Sequence, residues 1–259
     1  DNFFSGTIPH WGGLTNLVVL YLDSNVLTGT IPPELGNMGR LIDLRLRMNQ
    51  LTGFIPKYIR KLTHMELFYV DNNQLEGPIP DIWDNLHRVE EIQIYKNKLE
   101  GTLPKSMKKL TKLKILYADN NLLQGRLPPF FGKLLDLSAI YLSNNQLGGP
   151  IPTELGRLSD LKDFQVSKNK LRGTIPAELG NCYQLQTLEI QDNRLVGSVP
   201  EDLGKLEQLQ YFSFFLNNIT GAVPQAVCDA KTKYSLMYIA ADCFPDDKYV
   251  ECDCCNTCY

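Results

Sequence analysis

The sequence predicts an α/β solenoid of ten 24-residue coils, and three periodic columns predict it. Asparagine recurs at Asn25, Asn49, Asn73, Asn97, Asn121, Asn145, Asn169, Asn193 and Asn217, and Asn2 begins the series at a spacing of 23. Glycine keeps the same beat from Gly6 and Gly29 to Gly221, and proline from Pro9 and Pro32 to Pro224. Near-identical units of this length stack into a solenoid, and a solenoid is a binding surface before it is anything else.

Within a coil each position has its own physical reason, as the coil around Asn49 illustrates. Leu41, Leu44 and Leu46 precede the asparagine and Leu51 follows it; the alternation of Leu44 with Leu46 has the period of two that marks a strand. One strand per coil stacks in parallel about 4.8 Å from the next, so ten coils span roughly 45 Å. The Asn49 side chain is expected to turn inward and bond backbone groups of adjacent turns, where strand pairing stops. Gly53 relieves the steric limits of the next bend. Pro56 fixes φ and starts a short helical stretch over Lys57 to Leu62, while Ile55, Ile59 and Leu62 pack back into the core.

Composition narrows the partners. The 259 residues carry a formal net charge of −3, which argues against nucleic acid or an anionic membrane surface as a partner. No apolar run reaches about 18 residues, so no segment is expected to insert in a bilayer. The chain opens at Asp1-Asn2-Phe3-Phe4-Ser5-Gly6, in mid-coil. A solenoid needs a polar cap over its first unit, so upstream sequence, including any secretion signal or anchor, is expected.

The consensus Leu-x-x-Leu-x-Leu-x-x-Asn-x-Leu-x-Gly-x-Ile-Pro-x-x-Leu-Gly resembles the plant-specific class of leucine-rich repeat. It is similar to the ectodomains of plant receptor kinases and to the polygalacturonase-inhibiting proteins, over residues 2 to about 226. The resemblance implies a right-handed superhelix with a concave parallel β-sheet, short second strands and convex 3-10 or α turns. It also implies secretion or display at the cell surface, and binding of a protein, peptide or glycan on the concave and lateral faces. Residues 1–226 are accordingly assigned to the solenoid, its first coil truncated, and residues 227–259 to a C-terminal cap.

Cys182 occupies the core slot held by Leu62, Leu86, Leu110, Leu134, Leu158 and Leu206 in other coils, so it is read as a buried apolar side chain without a partner. Six cysteines remain, Cys228, Cys243, Cys252, Cys254, Cys255 and Cys258, all after the last coil. An even number so concentrated reads as a disulfide-bonded cap with 15 formal pairings, in which the vicinal Cys254 and Cys255 each bond elsewhere. Cys252, Cys254, Cys255 and Cys258 are also dense enough to supply four thiolates to zinc; the secretion that the resemblance implies favours disulfides. Leu236, Ile239 and Ala241 repeat the strand spacing, and an eleventh strand is expected to cover the open core there. The tail from Ala241-Asp242-Cys243 to Cys258 is similar to the caps of leucine-rich repeat proteins of diatom-like algae.

Residues between the buried strand positions are expected to face solvent. Four before each asparagine stand Tyr21, Arg45, Tyr69, Gln93, Tyr117 and Tyr141, and two before stand Asp23, Arg47, Asp71, Tyr95 and Asp119. Tyrosine beside carboxylate every second coil suits peptide or sugar recognition, because the ring offers apolar area and the polar ends offer directed bonds. The plainer alternative is that tyrosine and aspartate merely suit a solvated strand face. Arg45 and Arg47 form a basic spot for an anionic group, against which stands pairing with Asp23, Asp43 or Asp71. Tyr211, Phe215 and Leu216 are expected to contact the cap. Lys105, Lys108, Lys109, Lys112 and Lys114 read as a solvated convex face. Asn218-Ile219-Thr220 is a sequon, making Asn218 a glycosylation candidate.

Nothing in the chain resembles an active site, and no cofactor or metal is expected. His10, His64 and His87 fall in different coils, and no nucleophile elbow, phosphate loop or zinc-binding helix occurs. Three readings remain: an extracellular recognition module, an inhibitor of a secreted polysaccharide hydrolase, and a structural or ice-binding solenoid. The column after the glycine runs Thr7, Thr30, Phe54, Pro78, Thr102, Arg126 and Pro150, too broken for a regular threonine row.

Overall fold

The computed structural model of the chain describes residues 2–243 and 250–259. They pack as two compact units, Asp1–Gln124 and Gly125–Tyr259.

In the first unit five strands, Val19–Tyr21, Asp43–Arg45, Leu67–Tyr69, Glu91–Gln93 and Ile115–Tyr117, form one parallel sheet. Each residue pairs with the one 24 positions on, so Leu20, Leu44, Phe68, Ile92 and Leu116 align. All five are buried. Shorter parallel pairs run beyond the asparagines: Ser5–Thr7 with Val26–Thr28, and Thr52–Gly53 through Gln74–Pro78 to Lys98–Gly101. The helical turns are 3-10: Pro33–Asn37, Lys57–Lys61, Trp83–Asn85 and Lys105–Lys109. Pro56 stands just ahead of its turn in extended conformation, φ −73°, and its carbonyl accepts the Ile59 N–H at 3.2 Å. Proline loses nothing there, since that position has no turn N–H to give.

The second unit repeats the scheme with Ala139–Tyr141, Asp163–Gln165, Thr187–Glu189 and Tyr211–Ser213, then adds Tyr238–Ala241 and Thr257–Cys258. Tyr238–Ala241 is the expected strand over the core, with Ile239, Ala240 and Ala241 buried. It is the tenth described strand of this type, not the eleventh, because the truncated first coil supplies none. An α-helix, Gln225–Lys233, replaces the 3-10 turn after Pro224.

Three disulfides close this end: Cys228–Cys254, Cys243–Cys258 and Cys252–Cys255. Cys254 and Cys255 thus bond elsewhere, and all six sulfurs are consumed, which removes the thiolates that zinc would need. Asp242 caps the last coil by accepting the Leu216 N–H at 2.8 Å and the Asn217 N–H at 3.2 Å. Cys182 is free and buried, and burial pushes its thiol up to about 12. Among the described residues no helix is long and apolar enough to cross a membrane.

The asparagine column is an internal ladder. Asn49 Nδ2 donates to the carbonyls of Leu46 and Arg47 in its own coil, both at 3.1 Å, and of Leu22 in the preceding coil at 2.8 Å. Its Oδ1 accepts the Leu27 N–H at 3.0 Å. Asn73, Asn97, Asn121, Asn169, Asn193 and Asn217 repeat the pattern; Asn25 and Asn145 hold their own coil's carbonyls in the same way. The residue before each of these asparagines has positive φ, from 48° at Lys96 to 56° at Asp192. Asn72, Asn120 and Asn144 suit that left-handed geometry; Met48, Lys168 and Leu216 hold it at a cost.

Replacing Asn121 by Ala is expected to cost about 1–3 kcal/mol in urea unfolding, since the Leu99 N–H and three carbonyls lose a partner. Lys168→Asn is expected to raise stability by about 0.5 kcal/mol, by relieving left-handed backbone strain.

Candidate functional site

The strand register of the first unit lines up Tyr21, Arg45, Tyr69, Gln93 and Tyr117 in one row across the sheet face. A second row holds Val19, Asp43, Leu67, Glu91 and Ile115. Polar contacts stitch the two rows together. Tyr21 Oη donates to Asp43 Oδ2 at 2.7 Å, and Arg45 reaches the same carboxylate through Nε at 2.9 Å and Nη2 at 2.8 Å. The Arg45 guanidinium lies 4.6 Å from the Tyr21 ring centroid and 5.1 Å from that of Tyr69. Tyr69 Oη donates to Glu91 Oε2 at 2.7 Å, and Gln93 Nε2 to Glu91 Oε1 at 2.6 Å. A cation between two rings and bonded bidentately to a carboxylate is well satisfied, so Arg45 holds its proton even more firmly than an ordinary arginine, chiefly through the Asp43 hydrogen bond. The separate bond from Tyr21 Oη to Asp43 raises the Tyr21 phenol.

Two candidates differ from expectation. The strand alternation assigns Tyr69 and Asp71 to solvent, yet they are 6% and 0% exposed. Tyr69 is roofed by the guanidinium groups of Arg45 and Arg47, the latter 5.8 Å from its centroid. Long side chains on a flat sheet bury what stands beside them. Burial raises the Tyr69 phenol strongly. Asp71 accepts from Asn72 Nδ2 at 2.8 Å, but its Oδ1 has no protein partner. Desolvation lifts its carboxyl above the ordinary carboxylate value.

The basic spot is internally paired. Arg45 binds Asp43, and Arg47 lies 3.4 Å from Asp23, whose Oδ1 also accepts the Arg47 backbone N–H at 3.2 Å. Farther along the face the Tyr95 and Tyr117 rings are 6.0 Å apart, and Lys96 Nζ stands 5.9 Å from the Tyr95 centroid. Tyr95, Tyr117 and Asp119 are half-buried, and Tyr21 is exposed. Burial raises the carboxyls of Asp23 and Asp119 as well. In the second unit Tyr141 is half-buried, Tyr211 lies 6.3 Å from Tyr238, and Phe215 stacks on Tyr259 at 3.7 Å. Asn218 is exposed on a short strand. Among the described residues no group of histidine, cysteine or acid is arranged to hold a metal ion.

A family model, "Leucine Rich Repeat", matches residues 16–38, 112–134, 136–158 and 184–206. The four matched coils are leucine-rich repeats. Among solved structures, the leucine-rich repeat ectodomain of the plant membrane receptor kinase GASSHO1/SCHENGEN3 from Arabidopsis thaliana, in complex with CASPARIAN STRIP INTEGRITY FACTOR 2, is 31% identical, TM-score 0.91, over 100% of this chain and 33% of that one. The plant peptide hormone receptor RGFR1 in complex with RGF2 is 31% identical, TM-score 0.80, over 93% of this chain and 43% of that one. A plant ice-binding protein is 25% identical, TM-score 0.76, over 95% of this chain and 80% of that one. The chain therefore spans less than half the length of the two receptor ectodomains. No curated protein matches it.

The Asp71 carboxyl is raised in the folded chain, so its contribution to stability is complete below the ordinary value of 3.8 and is lost as pH rises through the raised value. Asp71→Asn is expected to leave Tm unchanged near pH 3 and to raise it by about 2 °C near pH 6, measured by calorimetry.

Proposed function

We propose that the chain is a non-enzymatic recognition module acting outside the cell, which takes an extended peptide or protein segment along the sheet face of its first unit. The observation that carries this reading is the register-aligned row from Tyr21 to Tyr117. Bonds to Asp43 and Glu91 in the neighbouring row fix the Tyr21 and Tyr69 phenols and the Arg45 guanidinium before any ligand arrives. Side chains already held in one rotamer lose little entropy on binding, and tyrosine and arginine are the residues that interfaces favour. The likeness to a plant peptide hormone receptor in complex with RGF2 supports a peptide or protein over a glycan. Three disulfides in the cap, which we take to be residues 227–259, support an oxidising compartment.

Ice binding is a second reading, favoured by the likeness to a plant ice-binding protein. Phe54, Pro78 and Arg126 interrupt the threonine column it would use, and a thermal hysteresis assay decides it.

A displayed library of extended peptides tests the first reading. Tyr21→Ala and Tyr117→Ala are each expected to weaken selected peptides about tenfold. Affinity unchanged in both variants would sink this face as the binding surface.

A further inference from the structure

A groove of about 760 Å³ runs along the flank of the first unit, away from the sheet face, walled by Phe54, Pro56, Tyr58 and Pro80 with Lys57 and Arg60 at its rim. Its origin lies in one column of the repeat. Where most coils carry glycine, the next turn packs so closely that a side chain cannot fit. A Cβ on Gly36 would meet the Tyr58 carbonyl oxygen at 2.6 Å, and one on Gly156 would meet the Glu178 carbonyl oxygen at 2.3 Å. The same column carries Arg60, so the turn that follows cannot close onto it. That turn is cut to Trp83–Asn85, against five residues at Lys57–Lys61 and Lys105–Lys109. The gap between coils stays open.

Two aromatic side chains are held over this gap. The Phe54 ring lies across Gly77, where a Cβ would be 2.5 Å from it. Phe54 keeps 61% of its surface exposed and Tyr58 51%. Lys61 Nζ stands 5.5 Å from the Tyr58 centroid and adds to the positive rim. The groove is mostly apolar, with no carboxylate among its described lining residues.

We propose that this groove is a docking site for a short extended peptide whose aliphatic or proline side chain is flanked by carboxylates. The apolar wall of rings and prolines takes the side chain, and Lys57 and Arg60 take the acids. A sugar fits less well, because its hydroxyls need several directed partners and the lining offers few. The site stands independently of the sheet-face reading.

The test is an array of acetylated, amidated hexapeptides with Leu, Ile or Pro flanked by Asp or Glu. It is set beside the same peptides carrying Asn or Gln, with trigalacturonic acid as competitor. The chain is expected to retain the acidic peptides about tenfold more tightly than the amides. Phe54→Thr and Arg60→Gly each restore a residue type that other coils carry, and each is expected to abolish retention with Tm unchanged. Tyr117→Ala is expected to leave retention intact, which separates this site from the sheet face. Equal retention of acid and amide peptides, retention surviving both groove variants, release by trigalacturonic acid, or failure to retain any acidic peptide overturns the proposal.

Discussion

A ladder asparagine such as Asn73 closes four backbone gaps at the bend where the main strand ends. Three carbonyls share the two hydrogens of Asn73 Nδ2, two from its own coil and one from the coil before, and Asn73 Oδ1 takes the Leu51 N–H. A bend inside a stack is shielded from much of the water, so its backbone groups need protein partners. The carboxamide is small enough to sit in the row and carries both donors and an acceptor. With the bend satisfied, successive strands stay in one register, and a residue such as Tyr21 falls beside Arg45 and not one place off. The order of the sheet face rests on the amide row behind it.

The charges on that face are arranged for mutual satisfaction. Asp43 serves Tyr21 and Arg45 together, and Glu91 serves Tyr69 and Gln93. The phenol hydroxyls of Tyr21 and Tyr69, which the sequence presents as free donors, are thus committed within the chain, and the Tyr69 ring lies under the guanidinium groups of Arg45 and Arg47. Asp71 is the exception, a carboxylate out of water with one oxygen unpaired. Desolvation raises its carboxyl, and stability on this face is sensitive to pH for that reason.

The fold was legible because its causes are local and periodic. The asparagine, glycine and proline columns each answer a steric or hydrogen-bonding need that a single coil already states, and Cys182 in a leucine slot announced its own burial. What stayed hidden depends on neighbours. Alternation alone assigns Tyr69 and Asp71 to solvent; the arginines one coil earlier cover the tyrosine. The two-residue strand Thr257–Cys258 is too short to leave a pattern. The left-handed residue before each asparagine carries no fixed side chain, since Lys96 and Leu216 adopt the geometry as Asn72 does. The flank groove was readable in principle, as a glycine column broken by Arg60, Asp84 and Lys108. Seeing it requires knowing that the glycine meets the backbone of the next turn.

The ladder bonds of any one asparagine reach no farther than the coil before it. A whole coil is therefore a self-contained cassette: duplicate or excise 24 residues in phase and every remaining amide still finds equivalent partners. Length in such a chain is free to drift by recombination in integral steps, while an out-of-phase cut strands a bend. The Cys228–Cys254 staple holds the terminus to its last helix whatever the number of cassettes before it.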